Sequence, residues 1–205
     1  MPKNTIAVIK RSTCKLVVWG KCDFETTGIE YLLTAEGYRV GRWSMAPPSS
    51  QDILLVALSA EPLLNWGRNL KTIEAMQKIA PCRGIIILVP TQLRELKAPV
   101  PYIRFVDGCK NIECLMSSIN KIICEMNNGF QVSCASLFSS RQSRYLIKMK
   151  KNITQNRKSL VNNKNEYYHL SRLVKISGMP NRHVILVAGH DILRIYTPGR
   201  ERLLN

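Results

Sequence analysis

DILLVALS, residues 52–59, and GIIILVP, residues 84–90, decide the fold. Both are short, nearly unbroken apolar runs bounded by polar or proline-containing turns. A strand that faces solvent on one side alternates apolar with polar residues, whereas a strand covered on both faces does not. These two stretches therefore predict central strands of a parallel sheet with helices on each side. Between them, WGRNLKTIEAMQKIAP sets Leu70, Ile73, Met76 and Ile79 three apart and stops before Pro81, which predicts a covering helix.

Working outward, the alternation continues. KLVVW predicts an opening strand, and TTGIEYLLTAEGY a helix with Ile29, Leu32 and Leu33 on one face and Gly37 as its C-cap. YRVGRWS is the next strand candidate. NIECLMSSINKIICEM gathers Ile112, Leu115, Met116, Ile119, Ile122 and Ile123 on one helical face, chiefly for core packing. Residues 1–126 thus read as an α/β domain, and 127–136, rich in Asn, Ser and Gly, as a linker.

The 205 residues carry 30 Lys plus Arg against 14 Asp plus Glu, a net charge of +16. Residues 137–205 hold 14 of those bases and only 3 acids, a net of +11. A cationic density so unevenly spread predicts that the final third meets phosphate or an anionic membrane. The seven scattered cysteines contain no C-x-x-C pair and read as small reduced apolar residues, with no metal and no disulfide framework. No apolar run reaches the roughly 18 residues needed to span a bilayer. MPKNTIAVIKRST lacks a signal-peptide core, so the expected location is the cytoplasm and no membrane partner is expected.

In the final third, SSRQSRYLIKMKK predicts a short helix with Tyr145, Leu146 and Met149 on one face and Arg144, Lys148 and Lys151 on another; ITQNRKSLVNNK has few anchors. YYHLSRLVKISGMPNRH, residues 167–183, predicts a helix ended by Gly178 and Pro180. Tyr168 is expected inward with Leu173, Val174 and Ile176. Lys164, Asn165, His169, Arg172 and Lys175 form the expected outer face. HVILVAGHDILRI supplies one more helix.

Three stretches resemble the receiver domain of response regulators: VVWGKCDFETTGIEYLL with Gly28, DILLVALSAEP, and FVDGCKNIECLMSSINKII. The resemblance implies a flavodoxin-like parallel sheet. Where receivers carry an acidic pair this chain has Gly20 and Lys21, where they carry the acceptor aspartate it has Ala57, and where they carry a lysine it has Gly108. Phosphotransfer needs carboxylates to hold Mg²⁺ and one to attack phosphorus, and none of these four residues supplies one. A pseudo-receiver that works without phosphorylation is implied; Asp23 and Asp52 fall at no matching position.

LFSSRQSRYL and YYHLSRLVKISGMPNRH resemble the two ends of the LuxR-type helix-turn-helix, implying an all-α DNA-binding domain over residues 137–205. Together the halves resemble the NarL/FixJ class, and especially orphan enterobacterial regulators of fimbriae, capsule and acid response. The resemblance implies a transcription regulator of surface-structure or virulence genes. Its recognition helix would enter the major groove of double-stranded DNA, with Lys164, Asn165, His169 and Arg172 reading bases. Arg141, Lys151, Arg157, Lys158, Lys175 and Arg182 would hold phosphates; Tyr167 and Tyr168 would touch the backbone or a thymine methyl, with at least one of the two expected in the core instead. A dimer is expected, with itself or with another response regulator. The rival readings are a co-regulator that acts by heterodimerisation with little DNA binding of its own, an enzyme with a nucleotide-binding α/β core, and a peripheral membrane protein. The chain has no Walker loop, G-x-G-x-x-G, carboxylate pair or Ser/His/Asp set, so no enzymatic activity and no cofactor are expected.

Overall fold

The computed structural model describes residues 14–98, 100, 102–128, 144, 164–189, 191 and 192, with residues 164–167 described by backbone alone. Strand β1 (Leu16–Gly20) leads into helix α1 (Asp23–Ala35) and strand β2 (Val40–Arg42). Strand β3 (Ile53–Ala57), helix α2 (Arg68–Ile79) and strand β4 (Gly84–Val89) follow. A 3₁₀ turn (Thr91–Leu93) separates β4 from β5 (Ile103–Asp107), and helix α3 (Ile112–Asn127) comes next. Helices α4 (Lys164–Ser177) and α5 (Arg182–Ala188) are the last described elements of any length.

The five strands form one parallel sheet in the order β2-β1-β3-β4-β5. Every residue of β3 and β4 is buried, as their unbroken apolar sequences require. Alternate side chains serve opposite faces. Leu16, Val18, Ile53, Leu55, Ile86 and Leu88 meet Ile29 and Leu33 of α1 and Leu115, Ile119 and Ile123 of α3 in one apolar cluster. Val17, Leu54, Val56, Ile85, Ile87 and Ile103 meet Leu70, Ile73 and Met76 of α2 on the other face.

That second face draws on the end of the chain. Among its described residues the β4–β5 connection contains a 3₁₀ turn and no α-helix, where α1 and α2 cover the β1–β2 and β3–β4 crossovers. Leu170, Leu173 and Val174 of α4, with Met179, Val184, Ile185, Ala188 and Ile192, join the same cluster as β3, β4 and α2. Backbone hydrogen bonds fix the contact. Asn65 N–H donates to the Val187 carbonyl (2.7 Å), Gly67 N–H to that of Ala188 (2.6 Å) and Lys97 N–H to that of Ser177 (2.9 Å). Lys71 Nζ lies 2.9 Å from a carboxylate oxygen of Asp191.

Two glycines permit this approach. Gly178 has φ +76°, ending α4 with N–H bonds from Gly178 to Lys175 and from Met179 to Val174, a Schellman cap. A Cβ there would stand 1.8 Å from the Glu95 carbonyl oxygen, and one on Gly67 would stand 2.5 Å from the Ile192 nitrogen. Both clashes are with backbone, which has no rotamer to retreat into.

Two residues depart from the expected faces. Ile79 is 76% exposed although it continues the spacing of Leu70, Ile73 and Met76. Three-residue steps advance about 300° each, so the row slides back about 60° per step and leaves the buried face by its last member. Tyr168 is 58% exposed rather than inward. It precedes Leu173 by five residues, about 140° of arc at roughly 100° per residue, which turns it away from the Leu170–Leu173–Val174 stripe.

At the opposite, N-terminal end of the strands, Asp52 ties β3 to β1. Its carboxylate accepts from Lys15 N–H (3.1 Å), Ser49 N–H (2.8 Å) and Ser49 Oγ–H (2.8 Å). Partial burial pushes its pKa up, but the Ser49 and Lys15 donors outweigh that and hold it below the ordinary carboxylate value.

Three measurements follow from this packing. Urea unfolding of the full chain is expected to show one transition, which Leu54→Ala and Leu173→Ala each move down by about 2–5 kcal/mol; two separate transitions, each sensitive to one variant, would contradict a shared core. Gly178→Ala is expected to cost more than about 1 kcal/mol, from the positive φ and the Glu95 contact combined. For Asp52, the depressed folded pKa means its stabilisation is complete above the unfolded value and disappears as pH falls through the folded one. The stability gap between wild type and Asp52→Asn, read by thermal melts, is therefore expected to be constant near pH 7 and to close below about pH 4.

Candidate functional site

Helix α4 separates its residues by face. Leu170, Leu173, Val174 and Ser177 are buried, and Tyr168, Arg172 and Lys175 are exposed. The exposed three stand at i, i+4 and i+7, one stripe of the helix. Arg172 Nη1 donates to the Tyr168 hydroxyl at 3.2 Å, and the Tyr168 ring meets His169 edge-on with centroids 5.7 Å apart. The result is an ordered row of aromatic, guanidinium and ammonium groups on an outer surface. Such a row is suited to phosphate and base-edge contact.

The other residues expected at a nucleic-acid surface fall in three groups. His169 is half-buried beside the stripe, and Arg182, at the start of α5, is half-buried as well. Lys164 and Asn165 are helical, and their side chains lie outside the described residues. Arg141, Lys151, Arg157 and Lys158, with the segment expected to supply the scaffold helix, also lie outside them. Asn181, not singled out from the sequence, caps α5 by accepting from Val184 N–H at 3.2 Å. An Asn directly before an apolar run was the available signal.

The receiver-like positions meet at the carboxyl ends of the strands. Gly20 pairs in register with Ala57. A Cβ on Gly20 would stand 2.6 Å from both the Ala57 carbonyl oxygen and Thr26 Cγ2, and one on Gly108 would stand 2.3 Å from Ser59 Oγ. Space that larger side chains would need is already taken by Thr26 and Ser59. Lys21 is exposed. Glu25, from the first turn of α1, closes the same end: it accepts from the Ser59 N–H at 2.9 Å, from the Ser59 hydroxyl and from the Ala60 N–H at 3.2 Å.

The nearby carboxylates are arranged for structure. Asp107 accepts from Thr91 Oγ1–H (3.3 Å) and Cys109 N–H (3.1 Å), which fastens the end of β5 to the turn after β4. Asp23 is exposed in the first turn of α1, and Asp52 is at the other end of the sheet. Among the described residues, no three His, Cys, Asp or Glu side chains are grouped to hold a metal ion. The Glu25–Ser59 pairing was not legible in the sequence: the partners are 34 residues apart, and only the parallel register brings them together.

The cysteines divide. Cys14 is buried and Cys82 half-buried, and burial pushes the Cys82 thiol pKa up, away from thiolate chemistry. Cys22 is half-buried, and Cys109, Cys114 and Cys124 are exposed. No helix among the described residues is long and apolar enough to cross a membrane.

Set against family models, curated proteins and solved structures, the chain finds no match in any of the three.

Proposed function

We propose that the chain is a sequence-specific DNA-binding transcription regulator that works without phosphorylation: a pseudo-receiver joined to a LuxR-type helix-turn-helix, controlling surface-structure or virulence genes. The observation that carries the reading is the division of α4, with Leu170, Leu173 and Val174 buried and Tyr168, Arg172 and Lys175 in an exposed row, within the part of the chain that holds a net charge of +11. In this reading α4 enters the major groove, Arg172 takes a guanine edge, and Lys175 and Arg182 take phosphates. Phosphate contacts supply affinity and salt dependence, and base contacts supply preference.

The protein acts as a dimer in this reading, as one helix-turn-helix reads too few base pairs alone. Helix α1 favours a protein partner: Phe24 is 91% and Tyr31 74% exposed, seven residues apart on one stripe. The same stripe supports a second reading, a co-regulator that pairs with another response regulator and touches DNA little by itself.

Duplex binding by the full chain over a salt series separates the two. For a DNA reader, Arg172→Ala is expected to cost about 1–3 kcal/mol on the preferred sequence and to flatten the preference, while Lys175→Ala weakens all sequences alike and lowers the salt slope by about 1. Weak, sequence-blind binding that Arg172→Ala leaves untouched would reject the DNA reader and favour the co-regulator.

A further inference from the structure

Helix α4 does not end in open space. The connection from β4 to β5 is packed across its carboxyl end, where Lys97 N–H donates to the Ser177 carbonyl at 2.9 Å and the Glu95 carbonyl occupies the room a Gly178 Cβ would need. The Lys97 stem runs past the same glycine, with Cγ 3.3 Å from that Cβ position. Leu93 and Leu96 are buried in the cluster that also holds Leu173 and Val174, so the connection and the helix are fastened to one core. Two cations and one acid stand exposed on the connection, Arg94, Lys97 and Glu95. Arg94 Nε lies 3.5 Å from Glu95 Oε1, a solvent-facing pair of the kind that contributes little.

This placement has a consequence once α4 lies in a major groove, the reading on which the inference rests. A helix with its side chains is about 10–12 Å across and the groove about 12 Å wide, so the helix fills it from wall to wall. Whatever flanks the carboxyl end of such a helix meets the sugar–phosphate backbone. Residues 94–97 are held to that end by the Lys97–Ser177 bond and the tight approach at Gly178, and cannot swing aside.

A helix carboxyl terminus carries about half a negative charge and by itself repels phosphate. Here Lys175 stands exposed in the last turn, the Ser177 carbonyl is covered by Lys97 N–H, and the Lys97 side chain adds a second cation. We propose that Lys97, a residue of the α/β domain, holds a backbone phosphate of bound duplex DNA beside the carboxyl end of α4, and that Glu95 weakens the grip by repelling the same backbone. The duplex surface is then shared by both parts of the chain, instead of being confined to residues 137–205.

The test is binding of the full chain to a mixed-sequence DNA duplex over a potassium chloride series. Lys97→Ala, Lys97→Gln and Glu95→Gln are compared with Lys121→Ala, which removes an exposed lysine of α3 on the opposite face of the sheet. Both Lys97 variants are expected to weaken binding and to lower the salt slope by about 1, while Lys121→Ala leaves the slope unchanged. Glu95→Gln is expected to tighten binding, most at low salt. The urea midpoints of the Lys97 variants are expected to stay at the wild-type value, because the bond to Ser177 is made by backbone. Wild-type binding whose slope the two Lys97 variants move no more than Lys121→Ala does would overturn the proposal and leave the DNA reading standing. A wild-type chain that ignores the duplex, whether or not it binds phosphatidylserine vesicles, would overturn both.

Discussion

A parallel sheet with fully buried central strands must be covered on both faces, and this chain leaves part of one face without a crossover helix. β4 and β5 are joined through a 3₁₀ turn, yet Ile85, Ile87 and Val89 are completely buried. Exposing such side chains would cost about 1.5–3 kcal/mol each. Leu93 and Leu96 of that connection share their cluster, and the rest of the cover comes from far along the sequence, as Leu170, Leu173, Val174, Val184 and Ile185. The glycines at 67 and 178, the Asn181 cap and the Lys71–Asp191 pair all serve that one closure. The outward stripe of α4 owes its orientation to it as well, because burying one side of a helix fixes the direction of the other.

Much of the sheet could be read from the sequence because its signals are local. Unbroken apolar runs marked β3 and β4, and the 3.6-residue rhythm of Leu115, Met116, Ile119 and Ile123 marked α3. β1 and β3 end at Gly20 and Ala57, which the parallel register sets side by side, and Gly108 directly follows β5. What a helix packs against is a different kind of information. The apolar face of α4 was visible in the spacing of its residues, but nothing in that spacing says that it joins the cluster containing Leu54 and Ile85. Ile79 and Tyr168 went astray for a geometric reason, since three- and five-residue intervals drift around a helix. Glu25 stands in the first turn of α1, where an acid favours the helix dipole, and no local signal marks its partners Ser59 and Ala60.

Charge and packing are separated within the last helices. The buried side of α4 is formed mainly by Leu170, Leu173 and Val174, while Arg172 and Lys175 stand exposed. Arg172 retains a neutral hydrogen-bond partner, the Tyr168 hydroxyl, which orients the guanidinium without cancelling it.

The late origin of the cover has a consequence for biosynthesis. During translation, β3 and β4 leave the ribosome long before Leu173 and Ile185 exist, so the growing chain carries a finished sheet edge and an open apolar plane at the same time. Contacts of such long sequence separation form late and slowly. Until they do, the nascent protein presents the surface that aggregation and chaperones both recognise. The segment bearing the cationic stripe is therefore also the one whose arrival releases the nascent chain from that exposure.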